Sequence, residues 1–336
     1  MARGGDLPAQ RLAADPTGLL NKYALPKVAM VVIAGAAAVG TVLTTVVGAH
    51  LGYAHAAARY LLLMGAATAA GGRLWESWIL QPATRLVGGP QAGAYAQRQR
   101  ARFRRLERGA WLAAACGGAA LAPAYWRAGA GAPLDEHLAL AASGAALLGW
   151  AILARWSDAR PGAAATGGWV RPGALTAVSL LLWSAAFLQV WYDTPGDWQG
   201  LLWRILHLSA FAAWFGGAVW NVAVAVPAAR EDLSLPVVIA ANAQLERFRA
   251  VVRIALPLIV ATGLLQVWNA VGITRWAVQG PFGHLVLVKL GLVALLVLIF
   301  NTCPMWHACS PIAGMCDLRD LPAGQRPAAG ESQLAD

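Results

Sequence analysis

The histidines are the residues of this chain with the clearest capacity for chemistry. Imidazole nitrogens bind copper, other transition metals and haem iron. Apart from His307 near the carboxyl terminus, every histidine falls on one side of the membrane topology derived below: His50, His55, His137, His207 and His284. We therefore predict an imidazole-rich site at that face, in which all of these except His137 are candidate metal ligands. For His137, a loop position without a role is the simpler interpretation.

His207 lies in an aromatic stripe of its predicted helix. Trp203, His207, Phe211 and Trp214 recur at intervals of four, four and three residues, which places them on one helical face. The pair Gly216-Gly217 follows, and a second helix can approach closely there. Such stripes usually pack against neighbouring helices, and a hydrogen-bonded structural histidine is one interpretation of His207. The alternative is a site for a metal ion or a flat macrocycle.

Lys289 lies within an apolar segment, where a charged side chain is costly and is rarely without a role. It follows His284 by five residues, about 140° around a helix, so the two do not share a face. The lysine either extends toward the membrane surface as an anchor or pairs with a haem propionate, a quinone oxygen or an acidic side chain. It joins His207, His284 and Trp214 in the set of predicted cofactor-binding residues.

The carboxyl-terminal tail holds a second group of candidate ligands. We predict metal binding by Cys303, His307, Cys309 and Cys316, which follow one another closely in the sequence. Their spacing matches no standard zinc or iron–sulfur motif. Thiolates are nevertheless favoured ligands of copper(I), and the cytoplasm keeps them reduced. Incidental composition of the tail is the alternative interpretation.

Long apolar segments place these residues in a membrane protein. The chain of 336 residues is 58% hydrophobic and only 12% charged, whereas a soluble domain carries about 25% charged residues. Because a spanning helix needs roughly 20 apolar residues, we predict an all-α, polytopic integral membrane protein with about eight transmembrane helices. The predicted spans are residues 26–48, 56–80, 109–127, 137–156, 173–192, 200–227, 245–271 and 283–303.

The distribution of basic residues orients the predicted helices. Arginine is concentrated in the predicted loop at 81–108, and basic loops remain on the cytoplasmic side of the membrane. This rule places both termini in the cytoplasm and the candidate histidines on the periplasmic side of a bacterial inner (plasma) membrane. The net charge of +10 then reflects topology and contact with the anionic lipid bilayer, and it implies no nucleic acid partner.

These assignments divide the chain into four regions. They are a cytoplasmic segment at 1–25 without a cleavable signal peptide, five helices within 26–192, a four-helix unit at 200–303 that includes 173–192 as its first helix, and a cytoplasmic tail at 304–336 with a disordered end. The sequence has no residue pattern typical of a hydrolase or a transferase. This favours transport, binding or electron transfer over catalysis.

Four motifs between residues 200 and 302 resemble the copper resistance protein D (CopD) family of inner-membrane proteins. They are Arg204–Gly217 with its Leu-His and Trp-x-Gly-Gly elements, Leu245–Phe248, Thr262–Trp268 and Pro281–Lys289. The resemblance implies eight helices, a role in copper uptake or tolerance, and a periplasmic copper-binding protein as partner. The positions most similar to the family pattern are His207, Trp214, Gly216, Gly217 and Lys289.

The scarcity of soft ligands keeps other functions open. Only Met30 and Met64 provide a thioether within the predicted spans, although copper(I) favours sulfur ligands. Histidines alone suit copper(II) or an iron porphyrin equally well. The main alternative is therefore a haem b-binding electron-transfer subunit that exchanges electrons between quinol and a membrane redox complex. A structural membrane anchor of a larger complex is the second alternative.

Overall fold

A computed structural model of the protein describes residues 16–48, 50–80, 89–129, 197–232, 234–271 and 280–302. Within these ranges the regular structure is entirely helical, with no strand. The predicted all-α class is therefore confirmed for the described part of the chain. The helices are α1 (Pro16–Val42), α2 (Tyr53–Trp75), α3 (Gly89–Gly129), α4 (Trp198–Val219), α5 (Val226–Ala229), α6 (Leu235–Val271) and α7 (Pro281–Thr302). Single π-helical segments extend α1, α2 and α4 at Leu43–Gly48, Glu76–Leu80 and Trp220–Ala225.

Three of the described helical segments are long and apolar enough to cross a membrane. They are Lys27–Val47, Trp198–Ala229 and Pro236–Asn269, and a shorter apolar segment runs from Gly283 to Ile299 in α7. Each of these coincides with a predicted span. The predicted spans at 137–156 and 173–192 lie outside the described residues. The total of eight spans and the orientation of the termini therefore stay predictions.

The predicted second and third spans form helices of a different character. Helix α2 is rich in Ala and Gly and carries Arg59 and Arg73, which lowers its mean hydropathy. The segment predicted as a cytoplasmic loop at 81–108 is helical from Gly89 and continues without a break into the third span, so that α3 has 41 residues. Its glutamine, alanine and arginine residues are strong helix formers. The helix therefore extends well beyond the predicted span at 109–127, whose membrane boundary stays a prediction.

Helix α2 packs directly against α4 at a pair of glycines. A Cβ atom added to Gly71 would lie 2.7 Å from the Cα atom of Gly216, so both positions require glycine for this close approach. One turn further, the Trp75 indole covers Gly217 and donates a hydrogen bond to the Ala213 carbonyl over 2.9 Å. The predicted close approach of a second helix at Gly216-Gly217 is confirmed, and that helix is α2.

A buried aromatic layer lies on the side of this crossing nearest the carboxyl end of α4. The ring centroids of Trp75 and Phe248 are 5.6 Å apart, and those of Phe103 and Trp220 are 5.2 Å apart. These separations are typical of favourable tilted aromatic pairs. The layer ties α2, α3 and α6 to the end of α4, and so fixes the helices that form the site described below.

Charged side chains on α2 and α3 are paired within the bundle. Arg73 donates two hydrogen bonds to Glu107, with Nε–Oε1 and Nη2–Oε2 distances of 2.7 and 2.8 Å, and a third to Glu76 over 3.2 Å. Glu76 also lies 3.5 Å from Arg100. A bidentate arginine–carboxylate pair is the geometry best able to offset the cost of burial.

The basic face of α3 contacts the turn between α5 and α6. Arg102 forms an ion pair with Glu231, and Arg98 lies 3.5 Å from an Asp232 carboxylate oxygen. Part of the arginine cluster that we interpreted as a topology signal is therefore neutralised within the chain. These pairs also hold α3 against the turn that precedes α6.

Candidate functional site

A cavity of about 120 Å³ lies between α1, α2, α4, α6 and α7. One part of its wall is apolar and includes Ile33, Leu63, Phe211 and Leu296. The polar side chains that line it are Thr41, Thr44, Tyr60, Arg204, His207, Gln266 and Lys289. Three of the five helices belong to the candidate membrane spans, so the cavity lies largely between helices that are long and apolar enough to cross a membrane.

His207 is held in one orientation by α6. Its Nδ1 atom lies 3.0 Å from the Thr262 hydroxyl oxygen, and that hydroxyl donates its own hydrogen to the Leu258 carbonyl over 2.6 Å. With that hydrogen donated to Leu258, Thr262 offers a lone pair to the ring, which favours the neutral tautomer with its hydrogen on Nδ1 and a lone pair on Nε2.

A histidine in this state is prepared to bind a metal ion. Metal-ligating histidines commonly donate their second ring N–H to an oxygen of a neighbouring residue, which fixes the tautomer and the ring orientation. Thr262 provides that oxygen for His207 and is itself only 1% exposed. The hydrogen bond to Thr262 fits a structural histidine whose ring is satisfied. It fits a metal ligand equally well, because it involves only Nδ1 and leaves Nε2 available in the cavity.

Met64 lines the same cavity as His207. Its thioether is a soft, polarisable donor, and sulfur combined with imidazole is a ligand set that suits copper(I). The other methionine of the predicted spans, Met30, packs in the adjacent core and does not line the cavity. The structure thus distinguishes between two residues that the sequence left equivalent.

Lys289 reaches the cavity from α7. Its Nζ atom lies over Gly40 of α1, where an added Cβ atom would be only 2.7 Å away. Among the described residues that line the cavity, none is aspartate or glutamate. The anchor interpretation of Lys289, in which the side chain extends to the membrane surface, is less suited to this position than a role inside the cavity.

Arg204 is the cavity residue that the sequence analysis missed. It precedes His207 by three residues on α4 and lines the same wall. Positions separated by three or four residues share a helical face, so the spacing to His207 was the available signal.

Asp197 is an acidic residue that could in principle pair with Lys289. It instead caps α4 by accepting a hydrogen bond from the Gly200 amide over 2.8 Å.

The aromatic stripe of α4 faces the cavity only in part. His207, Phe211 and Trp214 line it, whereas Trp203 does not. Trp214 is 3% exposed. The stripe therefore contributes both to packing and to a cavity wall. Helix packing and a ligand site, the two interpretations of the stripe, both remain open.

The other predicted ligands lie apart from this cavity or outside the described residues. His50 is exposed in the turn after α1 and has a φ of 54°, His55 lies in the first turn of α2, and His284 is exposed near the start of α7. Within the described ranges, no group of three or more His, Cys, Asp or Glu side chains is close enough to hold a metal ion. The predicted tail ligands Cys303, His307, Cys309 and Cys316 lie outside the described residues.

Comparison with known proteins adds no relative. No protein-family model, curated protein or solved structure matches this chain. The resemblance to the copper resistance D family therefore stays a hypothesis based on the motifs at 204–217, 245–248, 262–268 and 281–289. Two of those motifs supply His207 and Lys289 to the cavity, and a third supplies Thr262.

Proposed function

We propose that this protein is an inner-membrane copper-handling protein that acts in copper uptake or tolerance. Copper is its cargo, and His207 Nε2 binds the ion inside the cavity. The observation that carries this proposal is the hydrogen-bond chain from His207 through Thr262 to Leu258. It leaves Nε2 as the available ligand atom in a largely apolar cavity, where an idle polar ring would be costly.

The proposed oxidation state is copper(I). Met64 supplies a thioether in the same cavity, and soft sulfur donors select copper(I) over harder divalent ions. Charge favours the same choice, because Arg204 and Lys289 repel a dication more strongly than a monocation.

The proposed route starts at the periplasmic face. Under the eight-helix topology, His50, His55 and His284 lie near that face and receive copper from a periplasmic copper-binding protein. His207 then holds the ion deeper in the membrane. The cysteines of the cytoplasmic tail are the corresponding soft ligands at the inner side.

A competition titration tests the copper site. Copper-free full-length protein in detergent is titrated with copper(I) against a chromophoric chelator. We expect the variants His207→Ala and Met64→Leu to lower the copper affinity by at least about tenfold, which is the scale of a lost ligand or of its supporting shell. Met30→Leu is the matched control and should leave the affinity unchanged. Equal affinities in all four proteins would overturn the proposed site.

Haem b is the second candidate ligand, and one observation favours it. Arg204 and Lys289 line the cavity that also holds His207, and paired cations suit haem propionates. The volume of about 120 Å³ is, however, below the roughly 300–1,000 Å³ of pockets that enclose drug-sized ligands. A haem would require the helices to separate, so the observed cavity fits copper better.

A further inference from the structure

Lys289 brings a positive charge into the cavity that copper does not explain. Arg204 and Lys289 both line it, and no carboxylate does among the described residues. Within the described part of the chain, the Lys289 ammonium has no ion pair or side-chain hydrogen bond among those observed. An uncompensated cation between membrane-spanning helices is costly and usually marks a functional site.

The hydroxyl groups that line the cavity donate their hydrogens to backbone carbonyls. Thr41 and Thr44 donate to their own helix at Ala37 and at Gly40, and Tyr60 donates to the Ala34 carbonyl over 3.3 Å. Their hydrogens are therefore already used. An anion in the cavity would therefore depend on N–H donors, such as the Lys289 ammonium, for its hydrogen bonds.

We infer that this cavity binds a small, singly charged oxyanion through Lys289, with Arg204 as a second source of positive potential. The inference is independent of the proposed copper function, since it rests on the Lys289 ammonium and on a lining that includes no carboxylate among the described residues. An anion would supply the missing charge and accept N–H hydrogen bonds, which are shorter and stronger between ionised groups.

The size and the lining of the cavity restrict the ligand class. A volume of about 120 Å³ is close to the roughly 150 Å³ of a protein cavity that accommodates benzene. Leu208, Phe211 and Val293 contribute apolar wall, which favours an anion with a small apolar part over a fully hydrated one. A short carboxylate such as acetate has this chemistry. The phosphodiester of an anionic lipid is a second source of a singly charged oxyanion.

The test is anion-dependent stabilisation of the copper-free, full-length protein. The thermal midpoint Tm is measured in detergent with a metal chelator, at constant ionic strength, in sodium acetate and in sodium gluconate, whose anion exceeds the cavity. A parallel titration uses dioctanoyl phosphatidylglycerol. Ligands that bind only the folded state raise Tm, and we expect a rise of about 2–4 °C in acetate relative to gluconate.

Two pairs of variants separate the site from general effects. Lys289→Met removes the ammonium, and Lys27→Met removes an exposed lysine of α1 as its control. Gly40→Ala places a methyl group against Nζ and displaces the flexible end of Lys289, whereas Gly35→Ala on the same helix has nothing within 4 Å of the added Cβ. The variants Gly40→Ala and Gly35→Ala keep the test valid if Lys289→Met fails to fold.

The expected result is a rise in Tm that the two control variants retain, that Lys289→Met loses, and that Gly40→Ala weakens. A rise in acetate identifies a small carboxylate as the ligand. A rise with the short-chain anionic lipid alone, with the same dependence on Lys289, identifies a lipid phosphodiester at the same site. The inference is overturned if neither ligand raises Tm, or if Lys289→Met responds like the unchanged protein.

Discussion

The Nδ1 atom of His207 lies 3.0 Å from the hydroxyl oxygen of Thr262, a residue 55 positions later in the chain. This contact joins α4 to α6 at the wall of the cavity. Because the Thr262 hydroxyl hydrogen is donated to Leu258, the contact also favours the tautomer of His207 that carries its hydrogen on Nδ1. One side-chain pair therefore links the packing of two helices to the chemistry of the proposed copper ligand.

Replacing Thr262 by valine should weaken copper binding without removing the ligand. The substitution leaves the Nδ1–H of His207 without this acceptor, and the loss of such a supporting group lowers metal affinity by about 10–100-fold. The copper(I) competition titration measures the effect. Thr68→Val is the control, because its hydroxyl donates only along its own helix to the Met64 carbonyl. Equal losses in the two variants would show that the Thr262 contact has no special role.

The crossing of α2 and α4 should not tolerate a side chain at Gly216. A methyl group there meets the backbone of Gly71, and backbone cannot move as cheaply as the end of a side chain. We expect Gly216→Ala to destabilise the protein by about 1–3 kcal/mol, the usual scale of overpacking, with a lower Tm in detergent. Gly109→Ala on α3 meets nothing within 4 Å and should stabilise slightly, as alanine does in a helix. An unchanged Tm for Gly216→Ala would contradict the described crossing.

Neutralising the buried Glu107 by the substitution Glu107→Gln should lower stability more than neutralising a surface glutamate. The Glu107 side chain is 5% exposed and forms a bidentate pair with Arg73. Loss of its charge-assisted hydrogen bonds should lower the free energy of unfolding by about 1–3 kcal/mol, since Arg73 keeps Glu76 as a partner. Glu246→Gln is the matched control, because Glu246 is 62% exposed in its pair with Arg249 and such pairs contribute about 0–1 kcal/mol. Similar losses of thermal stability in the two variants would argue against a buried network.

The contact between α3 and the turn after α5 should weaken in acid. Hydrogen bonds from Arg102 lower the pKa of Glu231 below its usual value of 4.5, so the folded protein favours the carboxylate. The resulting stabilisation is complete above pH 4.5 and is lost as the pH falls through the lower pKa of the folded state. Measurements of Tm against pH should therefore show a steeper acid decline for the unchanged protein than for Glu231→Gln. Parallel curves would exclude this contribution.

The sequence was informative about elements and less so about their arrangement. The apolar segments at 26–48, 200–227 and 245–271 correspond to the three described helical segments capable of spanning a membrane, because length and composition suffice for that prediction. Helix α3 extends into the predicted basic segment at 81–108, since the rule for basic loops describes topology and carries no information about helix boundaries.

The cavity itself required the structure. Helical spacing identified His207 and the glycine pair, yet the partners Thr262 and Gly71 come from other helices, and no local pattern specifies which helices pack together. Arg204 was not among the predicted site residues, although its spacing to His207 placed it on the same helical face. The structure also separates Met64 from Met30, which hydropathy treats alike.

The most direct test of the central claim is the metal content and visible absorption spectrum of the full-length protein purified from copper-supplemented cells. The spectrum is recorded before and after reduction with dithionite, for the unchanged protein and for His207→Ala. We predict copper in stoichiometric amount, no Soret band in either redox state, and loss of the copper in the variant. A Soret band with a reduced α-band that disappears in His207→Ala would contradict copper handling and establish the haem alternative. Copper content that is independent of His207 would contradict the proposed site.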